Sequence, residues 1–202
     1  EFLSSTLATV FWWGLWASTA GAVIIFRVLL PLWRSFAGSL RVVDVRAEGP
    51  DATTVTVAGR SVRRMPVRAG QFFHWRFLDG PGWSRANPYS ISAAPDGATL
   101  RFTAAHVGDG SRRLATLRPG TRVMVEGPYG RLHDGVRTQR KVLLMGSGIG
   151  ITPLRAILED LPQGPGDVTV VHRVRSRSEA VLADELAGLA AARGARYLLI
   201  EG

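Results

Sequence analysis

The feature that most constrains this chain is an uninterrupted apolar run near its start. No charged residue occurs between Phe2 and Phe26, a stretch of 25 residues rich in Leu, Val, Ile, Phe and Trp. An α-helix of about 20 apolar residues crosses the hydrocarbon core of a bilayer, so this run is long enough. A buried core helix would be shorter, and a signal peptide carries positive charge before its apolar run. We therefore predict a transmembrane helix.

The charges around this run predict its orientation. Arg27, Arg34 and Arg41 all follow the run, and the positive-inside rule places everything beyond Arg27 in the cytoplasm. Tryptophans lie near both expected interfaces, as in aromatic belts: Trp12, Trp13, Trp16 and Trp33. We predict residues 1–37 to be a transmembrane helix with a juxtamembrane segment, whose partner is the lipid bilayer.

Haem ligands are absent from this helix. The first histidine is His74, whereas haem in a helix needs an axial ligand, most often histidine. Any haem is therefore expected on upstream transmembrane helices of the same parent chain. The sequence begins with Glu1 rather than Met and stops at Gly202 just after a strand-like run, so we expect both ends to be cuts.

Composition narrows the chemistry further. The absence of cysteine excludes disulfides and cysteine-ligated iron–sulfur clusters within these 202 residues. The net charge of +9 favours anionic partners: nucleic acid, an anionic membrane face or phosphate-bearing cofactors. The basic residues are mostly single arginines spread along the chain, so we expect no nucleic-acid partner. The four histidines show no metal-ligand spacing, and no metal site is predicted.

From Leu40 the pattern changes to short alternating runs separated by Gly, Pro and Asp, which predict strands. The runs are Leu40–Arg46, Thr53–Ala58, Gln71–Phe77, Tyr89–Ser92, Thr99–Ala105 and Arg122–Glu126. One helical stretch, Ser111–Leu117, interrupts them. We predict an antiparallel six-stranded β-barrel, closed on itself, within residues 38–136.

Three motifs in this region carry a family resemblance. Asn87-Pro-Tyr-Ser resembles the Arg-x-Tyr-Ser or His-Pro-Phe-Ser/Thr motif of ferredoxin–NADP reductase-type FAD/NAD(P)H oxidoreductases, including the ferric reductase and NADPH oxidase branch. The resemblance implies that Tyr89 lies against the flavin ring and that the Ser90 hydroxyl reaches toward flavin N5; these are the candidate catalytic residues. Asn87 stands at the family's charged position, Pro88 follows it within the motif, and Arg85 is the alternative contact to the flavin pyrophosphate.

The second motif is His106-Val-Gly-Asp-Gly-Ser-Arg. A glycine turn that opens a helix presents free N–H groups to an anion. The same sequence also fits an ordinary turn followed by an N-cap. By resemblance it binds the flavin pyrophosphate, with the candidate residues His106, Val107, Gly108, Gly110, Ser111 and Arg112. Glu126-Gly-Pro-Tyr-Gly follows, where the family's flavin domain closes with Gly-Pro-aromatic-Gly.

The final third predicts the start of a nucleotide-binding fold. The apolar run Lys141–Met145 leads into Gly146-Ser-Gly-Ile-Gly-Ile-Thr-Pro and then a helix over Leu154–Leu161. Strand, glycine turn and helix is the context of a dinucleotide phosphate site, and by resemblance this segment holds the NAD(P)H pyrophosphate. The candidate residues are Gly146, Gly148, Gly150, Thr152 and Pro153.

A second strand, Asp167–Arg173, a helix over Glu179–Arg193 and a third strand, Arg196–Ile200, complete half of an open parallel sheet. We predict an NAD(P)H-binding α/β domain over residues 137–202, of which only the first half is present. Arg173, Arg175, Ser176 and Arg177 follow the second strand, where a basic group favours NADPH over NADH. The same residues also fit an ordinary solvated loop.

These features predict a membrane-anchored flavin oxidoreductase with its flavin and nucleotide domains on the cytoplasmic side. Electrons would pass from NADPH or NADH to FAD, then to haem in the membrane and on to ferric ion or oxygen. Two alternatives remain open: a flavin reductase for a separate iron–sulfur partner, and a non-enzymatic membrane-tethered nucleotide-binding module.

Overall fold

The computed structural model describes residues 6–30, 33, 38–80, 82–162 and 164–202. The apolar run forms helix α1 (Thr6–Ile24), which continues as a π-helical turn over Ile25–Leu29. The segment Thr6–Leu29 is long and apolar enough to cross a membrane, and none of it is buried against the rest of the described chain. Arg34 and residues 1–5 lie outside the described residues, so the predictions made on them stay predictions.

Six strands follow the helix and form two antiparallel sheets of three. Their bounds are β1 (Arg41–Ala47), β2 (Ala52–Ala58), β3 (Phe72–Phe77), β4 (Asn87–Ser90), β5 (Thr99–Ala105) and β6 (Val123–Tyr129). A short helix, α2 (Asp109–Arg112), lies between β5 and β6. One sheet has the order β1-β2-β5 and the other β4-β3-β6. The six strands agree with the sequence prediction to within a few residues at each end.

The prediction of a closed six-stranded barrel was wrong. The two sheets meet at two seams, and each seam carries one isolated bridge among the described residues: Arg41 with Arg122, and Ile91 with Phe102. Continuous pairing fails at the second seam because β4 is only four residues long and ends at Ser90. The alternating pattern predicts strands, but the lengths over which neighbouring strands pair decide whether the ladder closes.

Alternation along β3 builds the core between these sheets. Phe73, Trp75 and Phe77 are buried while their neighbours are partly exposed, as expected for a strand with one covered face. The Trp75 ring lies 4.6 Å from the ring of Phe102 on β5, centroid to centroid, so side chains of the two sheets pack directly against each other.

The last third forms a parallel sheet with the order β7-β8-β9. Its elements are β7 (Val142–Ser147), α3 (Thr152–Asp160), β8 (Val168–Val174), α4 (Ala183–Ala192) and β9 (Arg196–Glu201). The predicted helix over Glu179–Arg193 begins later than expected. Leu182 adopts a left-handed conformation, with φ of 58°, so the chain before it forms only a 3₁₀ turn over Arg177–Glu179.

The two faces of this sheet differ in exposure. One face packs against α3 and α4 and shares a continuous hydrophobic core with the antiparallel sheets. Large apolar side chains on the other strand positions are exposed in the described structure, including Leu143 (60%), Met145 (67%) and Ile200 (47%). Parallel strands are usually apolar on both faces, which explains why the sequence of β7 shows no alternation.

Candidate functional site

Strand β4 carries the first motif and stands on buried aromatic residues. Tyr89 pairs with Phe73 and Ser90 pairs with Phe72 on β3. The Tyr89 ring stacks on Phe102 with a centroid separation of 4.9 Å and an interplanar angle of 7°. Burial raises the pKa of the half-buried Tyr89 phenol, so it stays neutral at physiological pH. The Tyr89 ring is thus held flat and uncharged next to the half-buried Ser90. These two residues together are called the Tyr89–Ser90 wall below.

The strand itself is held by Trp75, whose indole Nε1 donates a hydrogen bond to the Tyr89 carbonyl at 3.0 Å. Pro88 and Arg85 are exposed.

Asn87 brings the first motif against the second. A Cβ atom on Gly110 would lie 3.2 Å from Asn87 Oδ1, so only glycine lets the turn approach this closely without a shift. Arg85, Asn87, Asp109 and Gly110 line one small cavity of about 190 Å³. The structure therefore gathers two of the predicted flavin-contacting segments, as the resemblance implies.

The glycine turn opens a short helix, α2 (Asp109–Arg112), followed by a 3₁₀ turn over Arg113–Thr116, in place of the predicted helix over Ser111–Leu117. The Ser111 hydroxyl donates to the Gly108 carbonyl at 2.9 Å and accepts from the Gly108 N–H at 3.1 Å. Its side chain therefore closes the turn, and any contact of this segment with phosphate falls to backbone N–H groups and Arg112.

The flanking residues of this turn have different surroundings. His106 Nε2 lies 2.7 Å from Thr53 Oγ1, so the imidazole ties the turn to β2. Val107 is 89% exposed, and Arg112 faces Asp109 at 3.7 Å on the surface.

The Gly-Pro-Tyr-Gly segment ends β6 and is anchored by a buried carboxylate. Tyr129 donates to Glu126 Oε1 at 2.6 Å, and Arg76 lies 3.7 Å from Glu126 Oε2. Arg27 in the π-helical turn reaches Glu126 at 3.5 Å, so the end of the apolar helix contacts this segment. Burial and the hydrogen bond to Glu126 raise the pKa of Tyr129.

The second glycine turn, Gly148–Ile151, connects β7 to α3. A Cβ on Gly146 would meet the Ile151 backbone at 3.0 Å, so Gly146 permits close packing of strand and turn. Gly148, with φ of 50°, and Gly150 have open space where a Cβ would lie. Thr152 is buried and donates to the Ile149 carbonyl at 3.0 Å, and Pro153 occupies the first turn of α3. The backbone at Gly148 and Gly150 is free to approach a phosphate.

Of the four residues predicted to follow the second strand and favour NADPH, Arg173 lies within β8 rather than beyond it, and the others separate in the structure. Arg173 donates to the Gly202 carbonyl at 3.1 Å, Ser176 lies 2.9 Å from Ser178, Oγ to Oγ, and Arg175 is exposed. Arg177 lines a cavity of about 910 Å³ together with Gly148. Among the four candidates, Arg177 is thus the one that shares a cavity with the glycine turn.

This cavity lies between the β1–β2 hairpin, residues 46–51, and the parallel sheet with residues 177–185, which lead into and begin α4. Ala105, directly before the first glycine turn, and Tyr197 on β9 also line it. The cavity therefore reaches both parts of the chain that the sequence assigns to cofactors.

His172 is a buried residue that the sequence did not single out. Its Nδ1 lies 3.1 Å from the Tyr197 hydroxyl, and its side chain is fully buried on β8. Burial lowers its pKa, and the carbonyl of Gly148 opposes this in part, so the imidazole is neutral at pH 7. The available signal was a polar residue at a covered position of the alternating series Val168, Val170 and Val174.

No family model matches the chain. It is 30% identical over 155 residues to ferredoxin–NADP reductase B of Sorangium cellulosum, covering 74% of this chain and 63% of that protein. It is 31% identical over 150 residues to the electron transfer subunit of dihydroorotate dehydrogenase B (NAD(+)) of Shouchella clausii, covering 72% and 57%. In structure it resembles a ferredoxin NADP+ reductase from Neisseria gonorrhoeae with bound FAD and NADP, with a TM-score of 0.68, 22% identity, and coverage of 80% and 67%.

The chain has the ferredoxin–NADP reductase-type fold. The two antiparallel sheets and the parallel sheet are its parts, in the order that the motifs predicted. The chain spans 63% and 57% of the length of these two curated relatives.

Proposed function

We propose that this chain belongs to a flavin oxidoreductase that takes electrons from NAD(P)H through FAD and passes them to a further acceptor. The observation that carries the proposal is that Asn87 lies against Gly110 next to Tyr89 and Ser90. The glycine turn Gly148–Ile151, which has open space at Gly148 and Gly150, packs on the same hydrophobic core. The curated relatives, a ferredoxin–NADP reductase and an electron transfer subunit, support the same reaction class.

The residues present fit FAD. Tyr89 offers a flat ring fixed by Phe102, and Ser90 offers a hydroxyl next to it. Gly110 lets the turn lie directly against Asn87, and Arg85 and Arg112 supply positive charge for a diphosphate. FAD, when bound, supplies the exchange between a two-electron hydride and single electrons.

The residues also fit a nicotinamide dinucleotide. The open positions at Gly148 and Gly150 precede the N-terminus of α3, where N–H groups and the helix dipole favour a pyrophosphate. Arg177, which lines the same cavity as Gly148, supports NADPH rather than NADH.

The test is an anaerobic titration of the FAD-loaded parent protein, which supplies the rest of the nucleotide-binding domain, in detergent with NADPH and, separately, with NADH. We expect the flavin absorbance to bleach with either nucleotide and at lower concentration with NADPH. A folded, FAD-loaded parent protein that neither nucleotide reduces would contradict the proposed reaction.

We further propose that α1 anchors the protein in a membrane with the cofactor-binding parts in the cytoplasm. Its length, its exposed apolar surface and the arginines that follow it support this topology. Because the chain has no cysteine, single cysteines at Thr6 and Arg60 give an unambiguous labelling test. In spheroplasts, an impermeant maleimide should label Thr6→Cys at once and Arg60→Cys only after permeabilisation; the reverse pattern would contradict the topology.

The acceptor we propose is haem in upstream transmembrane helices of the parent protein, with ferric ion or oxygen beyond it. The two antiparallel sheets, β1-β2-β5 and β4-β3-β6, are called here the flavin-side sheets. The contact of Arg27 with Glu126 supports this route because it sets these sheets against the end of the apolar helix. The names of the curated relatives favour a second candidate, a separate iron–sulfur protein. Difference spectra of membranes holding the parent protein separate the two: reduction of b-type haem by NADPH supports the first, whereas reduction of an added ferredoxin without haem bands supports the second.

A further inference from the structure

One carboxylate joins the flavin-side sheets to the nucleotide-binding part. Glu185 near the start of α4 accepts two hydrogen bonds from Arg101 on β5, at 2.8 and 3.0 Å. Arg155 Nε on α3 lies 3.0 Å from Glu185 Oε2, and Arg46 Nη2 on β1 lies 3.3 Å from Oε1. Three guanidinium groups from both parts of the molecule therefore converge on Glu185.

A second carboxylate strengthens this junction. Glu159 on α3 pairs with Arg155 and accepts a hydrogen bond from the backbone N–H of Ala94, in the loop between β4 and β5. Glu48 pairs with Arg46 at 3.2 Å. The three arginines of the cluster thus face three carboxylates, and the cluster carries no net charge.

Arg101 links this cluster to β4, the strand that carries Tyr89 and Ser90 and is called here the flavin strand. Its Nη2 also donates to the Ser92 carbonyl at 2.8 Å, while the Ser92 N–H donates to the Arg101 carbonyl at 2.7 Å. Ser92 lies two residues beyond Ser90. A continuous set of hydrogen bonds therefore runs from α4 through Arg101 to the segment that presents the Tyr89–Ser90 wall.

An ion cluster of this kind is a weak source of stability. Arg101 and Arg155 side chains are only 15% and 10% exposed, and removing charge from water offsets most of the attraction. Apolar contacts would join the two parts at least as strongly. What a directional cluster adds is one defined orientation, since bidentate guanidinium–carboxylate pairs tolerate little rotation.

We infer that Glu185 is a positioning residue that holds the nucleotide-binding part against the flavin strand through Arg101. This rests on the proposed function for its kinetic consequence: a hydride passes only between rings held at near-contact distance, and the two rings are bound by different parts of the chain. The orientation itself does not depend on the proposed reaction.

The experiment measures orientation and rate separately. Spin labels on Arg60→Cys and Ala191→Cys, both exposed positions, report the distance between the two parts in the full chain loaded with FAD in detergent. The variants are Glu185→Gln and, as a matched control with the same charge change, Asp160→Asn, an exposed residue at the end of α3.

We expect one narrow distance distribution for the chain without the Glu185 substitution and for the control, and a broadened or shifted one for Glu185→Gln. The rate of flavin reduction at saturating NADPH should fall at least about 10-fold in Glu185→Gln. An unchanged distance distribution in Glu185→Gln would overturn the inference. If that variant does not fold, Arg101→Lys, which keeps the charge but loses the paired geometry, decides it by the same distance measurement. If the protein without the Glu185 substitution is not reduced by either nucleotide, the proposed function fails. The distances between the two spin labels still decide this inference.

Discussion

The candidate site on the flavin-side sheets and the candidate site on the parallel sheet are built from different groups. Tyr89 and Ser90 are side chains on a strand whose neighbours, Phe73 and Phe102, are fully buried. The glycine turn instead offers backbone and open space at Gly148 and Gly150, on a sheet with one exposed apolar face. Substitutions should therefore act on the first site through packing and on the second through access to the backbone.

The largest effect that tests this contrast is expected at Phe102. Replacing it by Ala removes a fully buried ring that contacts Trp75 and stacks under Tyr89, which should destabilise the fold by about 3–5 kcal/mol. Urea unfolding followed by tryptophan fluorescence measures the change. The matched substitution Leu143→Ala, on the exposed face of the parallel sheet, should change the free energy of unfolding by less than about 1 kcal/mol. Equal effects at both positions would remove the contrast in packing.

A pair of glycines sharpens the contrast inside the nucleotide site. Gly146→Ala forces a Cβ against the Ile151 backbone and should destabilise the chain by about 1–3 kcal/mol. Gly150→Ala meets open space, so the unfolding midpoint should hold while NAD(P)H affinity falls about 10-fold and FAD binding stays unchanged. Isothermal titration beside thermal unfolding separates the two effects. Unchanged nucleotide affinity in Gly150→Ala would argue against phosphate contact at this turn.

Ser90→Ala tests the flavin side without disturbing its core. Ser90 is half-buried on the strand that pairs with β3, so the fold and FAD retention should survive its loss. Removing the hydroxyl that we propose to reach toward flavin N5 should slow flavin reduction by roughly 10-fold, the value of about one hydrogen bond. Rapid-mixing absorbance measures the rate, with the exposed Ser84→Ala as control. A parent-like rate in Ser90→Ala would remove Ser90 from the catalytic residues.

The smallest effect concerns pH. His172 has a lowered pKa in the fold because burial disfavours its charged form. His172 in the unfolded chain therefore binds a proton at a higher pH than His172 in the folded chain. The free energy of unfolding should be highest above about pH 6.5 and should decline as the pH falls from there toward the folded pKa of His172. Thermal midpoints between pH 7.5 and 5.5 should show this decline in the parent chain and a shallower one in His172→Phe. Parallel slopes would show that His172 does not cause it.

The sequence predicts local features of both regions well. Alternation marks β3 because Phe73, Trp75 and Phe77 must face a core. The strand–glycine–helix order marks the turn at Gly148 because it is the context of a dinucleotide phosphate site. These signals depend on neighbours within about ten residues.

Contacts between distant residues were beyond such signals. Arg101 and Glu185 are 84 residues apart, and nothing in either neighbourhood predicts that they meet. The same holds for His106 with Thr53, a separation of 53 residues. Ser111 was predicted to cap the helix or to bind phosphate, and only the conformation of the turn shows that its hydroxyl is bonded to Gly108.

The most direct test of the central claim is FAD binding by the chain itself. Equilibrium dialysis of the full chain in detergent against FAD, with circular dichroism to confirm folding, should give one FAD per chain and quenched flavin fluorescence. Tyr89→Ala, which removes the ring stacked on Phe102, should weaken this binding far more than Leu143→Ala. A folded chain that retains no FAD would contradict the account.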